Sequence, residues 1–151
     1  MKPLKIMFLL VVFICMSGCG NEKYFVCTID LDNSNENYSL NATYKVYYDG
    51  NYVTKIEKND YYSSNDLTVL DYFKEYKTLE YDNLNSLYGG FDYSVDLNEN
   101  DLIFNTTINL EDVDIKKMLS NGDINSDYVV SNKLTTSGIK YLYKAKGAIC
   151  E

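Results

Sequence analysis

Ser39-Leu40-Asn41-Ala42-Thr43-Tyr44-Lys45-Val46-Tyr47-Tyr48-Asp49-Gly50-Asn51-Tyr52-Val53-Thr54-Lys55-Ile56-Glu57-Lys58 is the stretch that decides the fold. Leu40, Ala42, Tyr44, Val46 and Tyr48 alternate with Ser39, Asn41, Thr43, Lys45 and Tyr47, the period of a half-buried strand. Asp49-Gly50-Asn51 turns the chain, because Gly and Asn tolerate positive φ, and Tyr52 to Lys58 returns as the partner strand. A three-residue loop sets Tyr44 opposite Ile56 and Val46 opposite Thr54.

Before this hairpin, Tyr24 to Ile29 is β-branched and aromatic and reads as a first strand carrying Cys27. It stops at the polar cluster Asp32 to Asn37. After the hairpin, Ser64-Asn65-Asp66 supplies N-cap chemistry for a helix. Its apolar face is Leu67, Leu70, Phe73, Tyr76 and Leu79. The helix continues through Leu84, Leu87 and Tyr88 or breaks near Asp82-Asn83, and Gly89-Gly90 ends it.

Phe91 to Leu97 and Asp101 to Leu110 read as two strands around Asn98-Glu99-Asn100. A short helix from about Asp112 to Leu119 follows, with acids at its positive end and Gly122 after it. Tyr128-Val129-Val130 suits a brief strand. A last helix starts from Thr135 or Thr136 and ends at Gly147, which leaves Ala148-Ile149-Cys150 free to lie beside the first strand. The expected order is βββ-α-ββ-α-α: an α+β domain over residues 24–151, with a mostly antiparallel sheet of about five strands and helices packed on one face.

Residues 1–18 have a different grammar. Lys2 and Lys5 precede an unbroken apolar run from Ile6 to Met16 and the small pair Ser17-Gly18, the order of a secretory signal. The run is about half of the ~20 apolar residues that a membrane-spanning helix needs. Met16-Ser17-Gly18-Cys19 resembles the lipobox of bacterial lipoproteins, with Met16 where Leu is commonest. That resemblance implies a diacylglyceryl group on Cys19 Sγ, cleavage before Cys19, and a lipid-anchored, extracytoplasmic mature chain. The alternative is an ordinary secretion signal followed by a coincidental cysteine. Residues 19–23 then form a tether that reaches only ~15 Å when extended.

The full chain carries 14 Lys+Arg against 22 Asp+Glu, every base being Lys; without Lys2 and Lys5 the balance is 12 against 22, a net charge of −10. Nucleic acid and anionic lipid surfaces are repelled by such a chain. With no His and no Arg there is neither an imidazole base nor a bidentate phosphate clamp. Cys15 leaves with the signal and Cys19 takes lipid, so Cys27 and Cys150 remain. In an exported protein that pair is most simply a disulfide, the alternative being two free thiols in a redox or metal site.

Other constellations are weaker. Ser137-Gly138-Ile139-Lys140 matches Ser-x-x-Lys of penicillin-recognising enzymes without its companion motifs, and helix-start chemistry explains it. Asp96-Leu-Asn98-Glu-Asn100 and Asp123-Ile-Asn125-Ser-Asp127 begin like calcium loops but lack the Gly and the bidentate Glu, so they read as a turn and a loop. Asn-x-Ser/Thr at Asn37, Asn41 and Asn105 has no meaning behind a bacterial signal. The 16 Tyr, clustered as at Tyr47-Tyr48 and Tyr61-Tyr62, suit strand packing or a wet binding surface.

The lipobox at Cys19, the Cys27 strand, the hairpin, the Gly-ended helix, the strand Leu102 to Leu110 leading into an acidic helix, and the terminal Gly147-Ala148-Ile149-Cys150 together resemble the small YehR-like lipoproteins of low-GC Gram-positive bacteria. The resemblance supports the fold and the Cys27–Cys150 pairing and supplies no catalytic residue. The functional expectation is a non-enzymatic envelope module, without cofactor or metal. It is held by membrane lipid through Cys19 and binds an envelope protein or glycan. The competing expectation is a small hydrolase using carboxylates such as Asp92, Asp96 and Glu99.

Overall fold

The computed structural model describes residues 22–33 and 37–151. The signal segment, the lipobox residues Met16, Ser17 and Gly18, and the acylation site Cys19 lie outside the described residues. Three strands come first, β1 (Lys23–Asn33), β2 (Tyr38–Asp49) and β3 (Tyr52–Ser63), then helix α1 (Leu67–Tyr88) and strands β4 (Phe91–Leu97) and β5 (Asp101–Asn109). Helix α2 (Ile115–Asn121), a 3-10 turn (Ser126–Tyr128), the two-residue strands β6 (Val129–Val130) and β7 (Lys133–Leu134), helix α3 (Thr136–Ala145) and strand β8 (Ile149–Cys150) complete the chain. The main sheet has six antiparallel strands in the order β4-β5-β3-β2-β1-β8, and β6 and β7 form a separate ribbon. This is the expected α+β architecture, with one more strand in the main sheet.

Register sorts the side chains into rows that cross the sheet. One face carries Phe25, Val46, Ile56, Ile108 and Phe91 in one row, and Ile29, Ala42, Asp60, Phe104 and Val95 in another four positions along. The helices cover this face: Tyr81 of α1 meets Phe104 at 6.0 Å between ring centroids, and Tyr143 of α3 meets Tyr44 at 4.2 Å. Burying aromatic side chains of this size is the main favourable term for the domain.

The hairpin register differs from expectation. Asp49 pairs with Tyr52, so the loop has two residues, Gly50 and Asn51, with Gly50 at φ 57°. The register then slips between Tyr47 and Tyr48, where Thr54 is the extra residue of a β-bulge. Val46 consequently faces Ile56, not Thr54, and Tyr44 faces Lys58. The bulge has a packing reason: Val53 and Ile56 are three positions apart, an odd spacing that regular alternation would send to opposite faces, yet both are buried.

Helix α1 is continuous to Tyr88 and is capped as its sequence suggests. Asp66 Oδ1 accepts from the Thr68 amide at 2.9 Å, and Gly89 donates its amide to Asn85 O at 2.8 Å. Its buried face is turned from the expected one: Leu70, Tyr81 and Tyr88 are buried with Phe73 and Leu84 beside them, while Tyr76 and Leu79 are 54% and 62% exposed. Tyr81, a residue with a polar tip, takes the central inward position because a charged partner waits for it in the sheet.

α2 begins three residues later than expected, with Asp114 accepting from the Lys117 amide at 3.0 Å, and Gly122 in the left-handed conformation ends it. Thr135 caps α3 by accepting from the Gly138 amide at 3.1 Å. The chain then returns to the sheet. Val26 and Glu151 exchange backbone hydrogen bonds at 3.1 and 2.9 Å, which sets Cys150 opposite Cys27. The two sulfurs are bonded as a disulfide, with Cys27 fully buried.

Candidate functional site

A wide hollow lies at the end of the sheet where β1 begins. It encloses about 640 Å³ and is lined by Glu22, Lys23, Tyr48, Asp49, Thr54, Lys55, Asn109, Glu111 and Asp112. Thr54, the bulged residue where β3 departs from regular pairing with β2, lies on its wall. The far wall is the loop after β5, bound back by the Leu110 amide donating to Thr54 O and the Asn109 amide donating to Gly90 O, both at 2.9 Å. That approach requires glycine: a Cβ at Gly90, where φ is 76°, would meet Val113 Cγ2 at 2.7 Å and Asn109 O at 2.8 Å.

From this groove the uncovered face of the sheet continues along β2 and β3. Lys55 Nζ lies 2.9 Å from Glu57 Oε1 and 4.0 Å from the Tyr47 ring centroid, and the Tyr47 hydroxyl donates to Glu57 Oε2 at 2.7 Å. Partial burial pushes the Glu57 carboxyl up, but the Tyr47 hydroxyl and the Lys55 ammonium together hold it below its ordinary value. Lys45 Nζ sits 4.3 Å from the Tyr24 ring and 4.8 Å from that of Tyr47, a cation held between two aromatic rings. The groove itself holds four carboxylates and two ammoniums. It can therefore accept a ligand with positive or mixed charge more readily than a polyanion.

Under the helices is a second, buried polar cluster. Lys58 Nζ lies 2.6 Å from Asp60 Oδ2 and donates to the Tyr81 hydroxyl at 2.9 Å, and that hydroxyl donates to Asp60 Oδ2 at 2.9 Å. Asp60 is 3% exposed. Burial first, and then the Asp60 charge, pushes the phenols of Tyr62 and Tyr81 above their ordinary range. Burial does the same to Tyr143. Thr106 Oγ1 is buried beside them and makes no hydrogen bond of sound geometry, although the hydroxyl is near enough to Tyr81 to temper the rise in its phenol. The triangle satisfies each member, so its first effect is to fix how α1 docks on the sheet.

The residues singled out from sequence are scattered. Asp92 and Asp96 project from the exposed face of edge strand β4, Glu99 lies in the turn after it, and none lines the groove. Ser137 Oγ reaches Thr135 Oγ1 at 3.4 Å, whereas Lys140 Nζ lies 4.5 Å from the Phe25 ring, so the Ser-x-x-Lys pair is not assembled. Asn98 donates its amide to Asp101 O at 2.8 Å as a turn residue, and Asn125 accepts from the Asp127 amide at 2.9 Å to start the 3-10 turn. Among the described residues, no three His, Cys, Asp or Glu converge as metal ligands, and no helix is long and apolar enough to cross a membrane.

Lys45, Lys55, Glu57 and the Lys58–Asp60–Tyr81 triangle escaped the sequence reading. The signal was present in β3, where Lys58, Asp60 and Tyr62 continue the inward alternation from Ile56 and so place two charges inside.

No protein-family model and no curated protein matches this chain. Among solved structures it is similar to the NMR structure of the E. coli YehR protein, at TM-score 0.55 and 18% identity over 86% of this chain and 92% of that one. A protein from Streptococcus pneumoniae TIGR4, also solved by NMR, aligns at TM-score 0.48 and 14% identity over 90% of each chain. The first of these likenesses shows that the chain has a YehR-like fold.

Proposed function

We propose that this chain is an extracytoplasmic lipoprotein of the YehR-like, low-GC Gram-positive type. In this reading acylated Cys19 holds it on the cell membrane, and it works as a non-enzymatic binding or structural module of the envelope. The observation that carries the proposal joins sequence to structure. The lipobox ends at Cys19, β1 starts at Lys23, and Glu22 and Lys23 themselves line the groove. An anchor on Cys19 therefore puts the groove within a few residues of the bilayer surface, where two acyl chains hold a protein stably.

The test is the intact mass of the protein from native membranes, before and after reduction and alkylation, with Cys19→Ala as control. The expected result is a diacylglyceryl mass on Cys19, two thiols that appear only after reduction, and release of the Cys19→Ala chain from the membrane fraction. A lipid-free mass in the soluble fraction would remove the proposal.

A further inference from the structure

The uncovered face of the sheet has a charge pattern unlike that of the chain as a whole. Thr28, Thr43, Asn59, Asn105 and Ser94 form one uncharged row across five strands. Carboxylates stand at the margins, with Asp30 on β1 and Asp92 and Asp96 on β4. In the adjoining row Glu57 is already engaged by Lys55 and Tyr47, while Lys45 keeps its ammonium at the surface. A hollow of about 370 Å³ runs along these two rows, lined by Thr43, Lys45, Glu57, Asn59, Asn105 and Thr107, with the intervening Lys58 and Thr106, whose alternation is inward, also on its wall. The Asn59 amide donates to Asn105 Oδ1 at 2.7 Å across its floor.

We propose that this face docks an uncharged, polyhydroxylated glycan strand laid across the sheet. Strands ~4.8 Å apart present a hydroxyl or amide at each step, a spacing comparable to one pyranose ring. Each Asn or Thr both donates and accepts, as sugar hydroxyls do. The partner is matched in charge: Glu57 is paired with Lys55 and the Lys45 ammonium lies against the Tyr24 and Tyr47 rings, so the middle of the face carries no excess of carboxylate that would select a cation. Tyr24, 53% exposed at the margin, offers a flat ring with a polar tip, which suits the apolar side of a sugar. A protein interface would instead need an apolar centre, and this row has none.

The inference rests on the envelope reading, which would bring the face among polysaccharides. The test uses the full chain in detergent micelles, with chitohexaose and maltohexaose as probes, followed by amide chemical-shift changes and calorimetry. The expected result is saturable binding of at least one hexaose, with shifts centred on Thr43, Asn59 and Asn105. The Asn59→Ala/Asn105→Ala variant should bind about tenfold more weakly with unchanged thermal unfolding, and Lys144→Ala, exposed on α3 away from both hollows, should bind as before. Absence of binding to both probes, shifts elsewhere, or binding that survives the double substitution would overturn the inference. A failure here with lipid still found on Cys19 removes the glycan alone; glycan binding by a chain without lipid removes the anchor alone.

Discussion

Strand β3 carries two lysine–carboxylate pairs in successive stretches of the same chain, Lys55–Glu57 and Lys58–Asp60, and they point to opposite faces of the sheet. Each has the acid two residues after the lysine, and each acid accepts from a tyrosine hydroxyl, Tyr47 at 2.7 Å and Tyr81 at 2.9 Å. The outer pair sits at 2.9 Å with side chains 29% and 42% exposed, the inner at 2.6 Å with 14% and 4%. One chemical group is thus placed in two media. Outside, water screens the pair and supplies substitute partners, so the pair is nearly dispensable. Inside, neither charge can be left without the other.

Alkaline titration should separate the two faces most strongly. Burial raises the phenols of Tyr62, Tyr81 and Tyr143 in the folded chain above their ordinary value of 10.0. The protonated form is therefore favoured by folding. Its stabilisation is complete below the unfolded value and is lost as pH rises from there through the higher folded values. Ultraviolet absorbance of tyrosinate and circular dichroism, followed together above pH 10.0, should show a set of phenols that ionises only as the fold is lost. Ionisation of all 16 tyrosines with the fold intact would break the contrast.

Next in size is Asp60→Ala, which strands the Lys58 ammonium under α1 and should lower unfolding free energy by about 3–5 kcal/mol in urea titration. The matching change outside, Glu57→Ala, should lower it by no more than about 1 kcal/mol. Glu57 also has a sign to check. Its carboxyl is depressed in the folded state, so its contribution is present above its ordinary value of 4.5 and fades as pH falls through the lower folded value. In wild type minus Glu57→Ala, the stability difference should therefore shrink towards acid. Equal losses at Asp60 and Glu57 would mean that the medium is not what distinguishes them.

Thr106→Val should have the smallest effect, within about 1 kcal/mol and on the stabilising side, because it removes a buried hydroxyl that has no well-formed hydrogen bond. A large loss in the thermal melt would show that the Thr106 hydroxyl belongs to the Lys58–Asp60–Tyr81 triangle.

What could be read beforehand was what local chemistry controls. Alternation in Leu40 to Tyr48, the Asp66 and Thr135 caps, and the terminating Gly89 and Gly122 each act over a few residues, and they placed β2 and those helix ends. By contrast, β1 runs on to Asn33, into the polar cluster expected to stop it, because β2 pairs with it from Tyr38. What escaped depended on partners distant in sequence. The Thr54 bulge exists because Val53 and Ile56 must both reach one core. The rotation of α1 exists because Tyr81 pairs with Asp60, 21 residues earlier. The groove and the open row of Thr and Asn were hidden for the same reason. Their residues come from separate strands, and only register brings Thr43, Asn59 and Asn105 into one line.

The bond between Cys27 and Cys150 spans 123 positions of the sequence and turns nearly all the described domain into one covalent ring. A protease that nicks any single peptide bond inside this ring frees no fragment. Both pieces stay joined through the sulfurs, and both remain continuous with Lys23 and whatever lies before it. A cut before Cys27 falls outside the ring, and from Lys23 onward that stretch is paired with β2. A nick inside the ring thus leaves both pieces joined, and reduction of the bond is what would let one of them go.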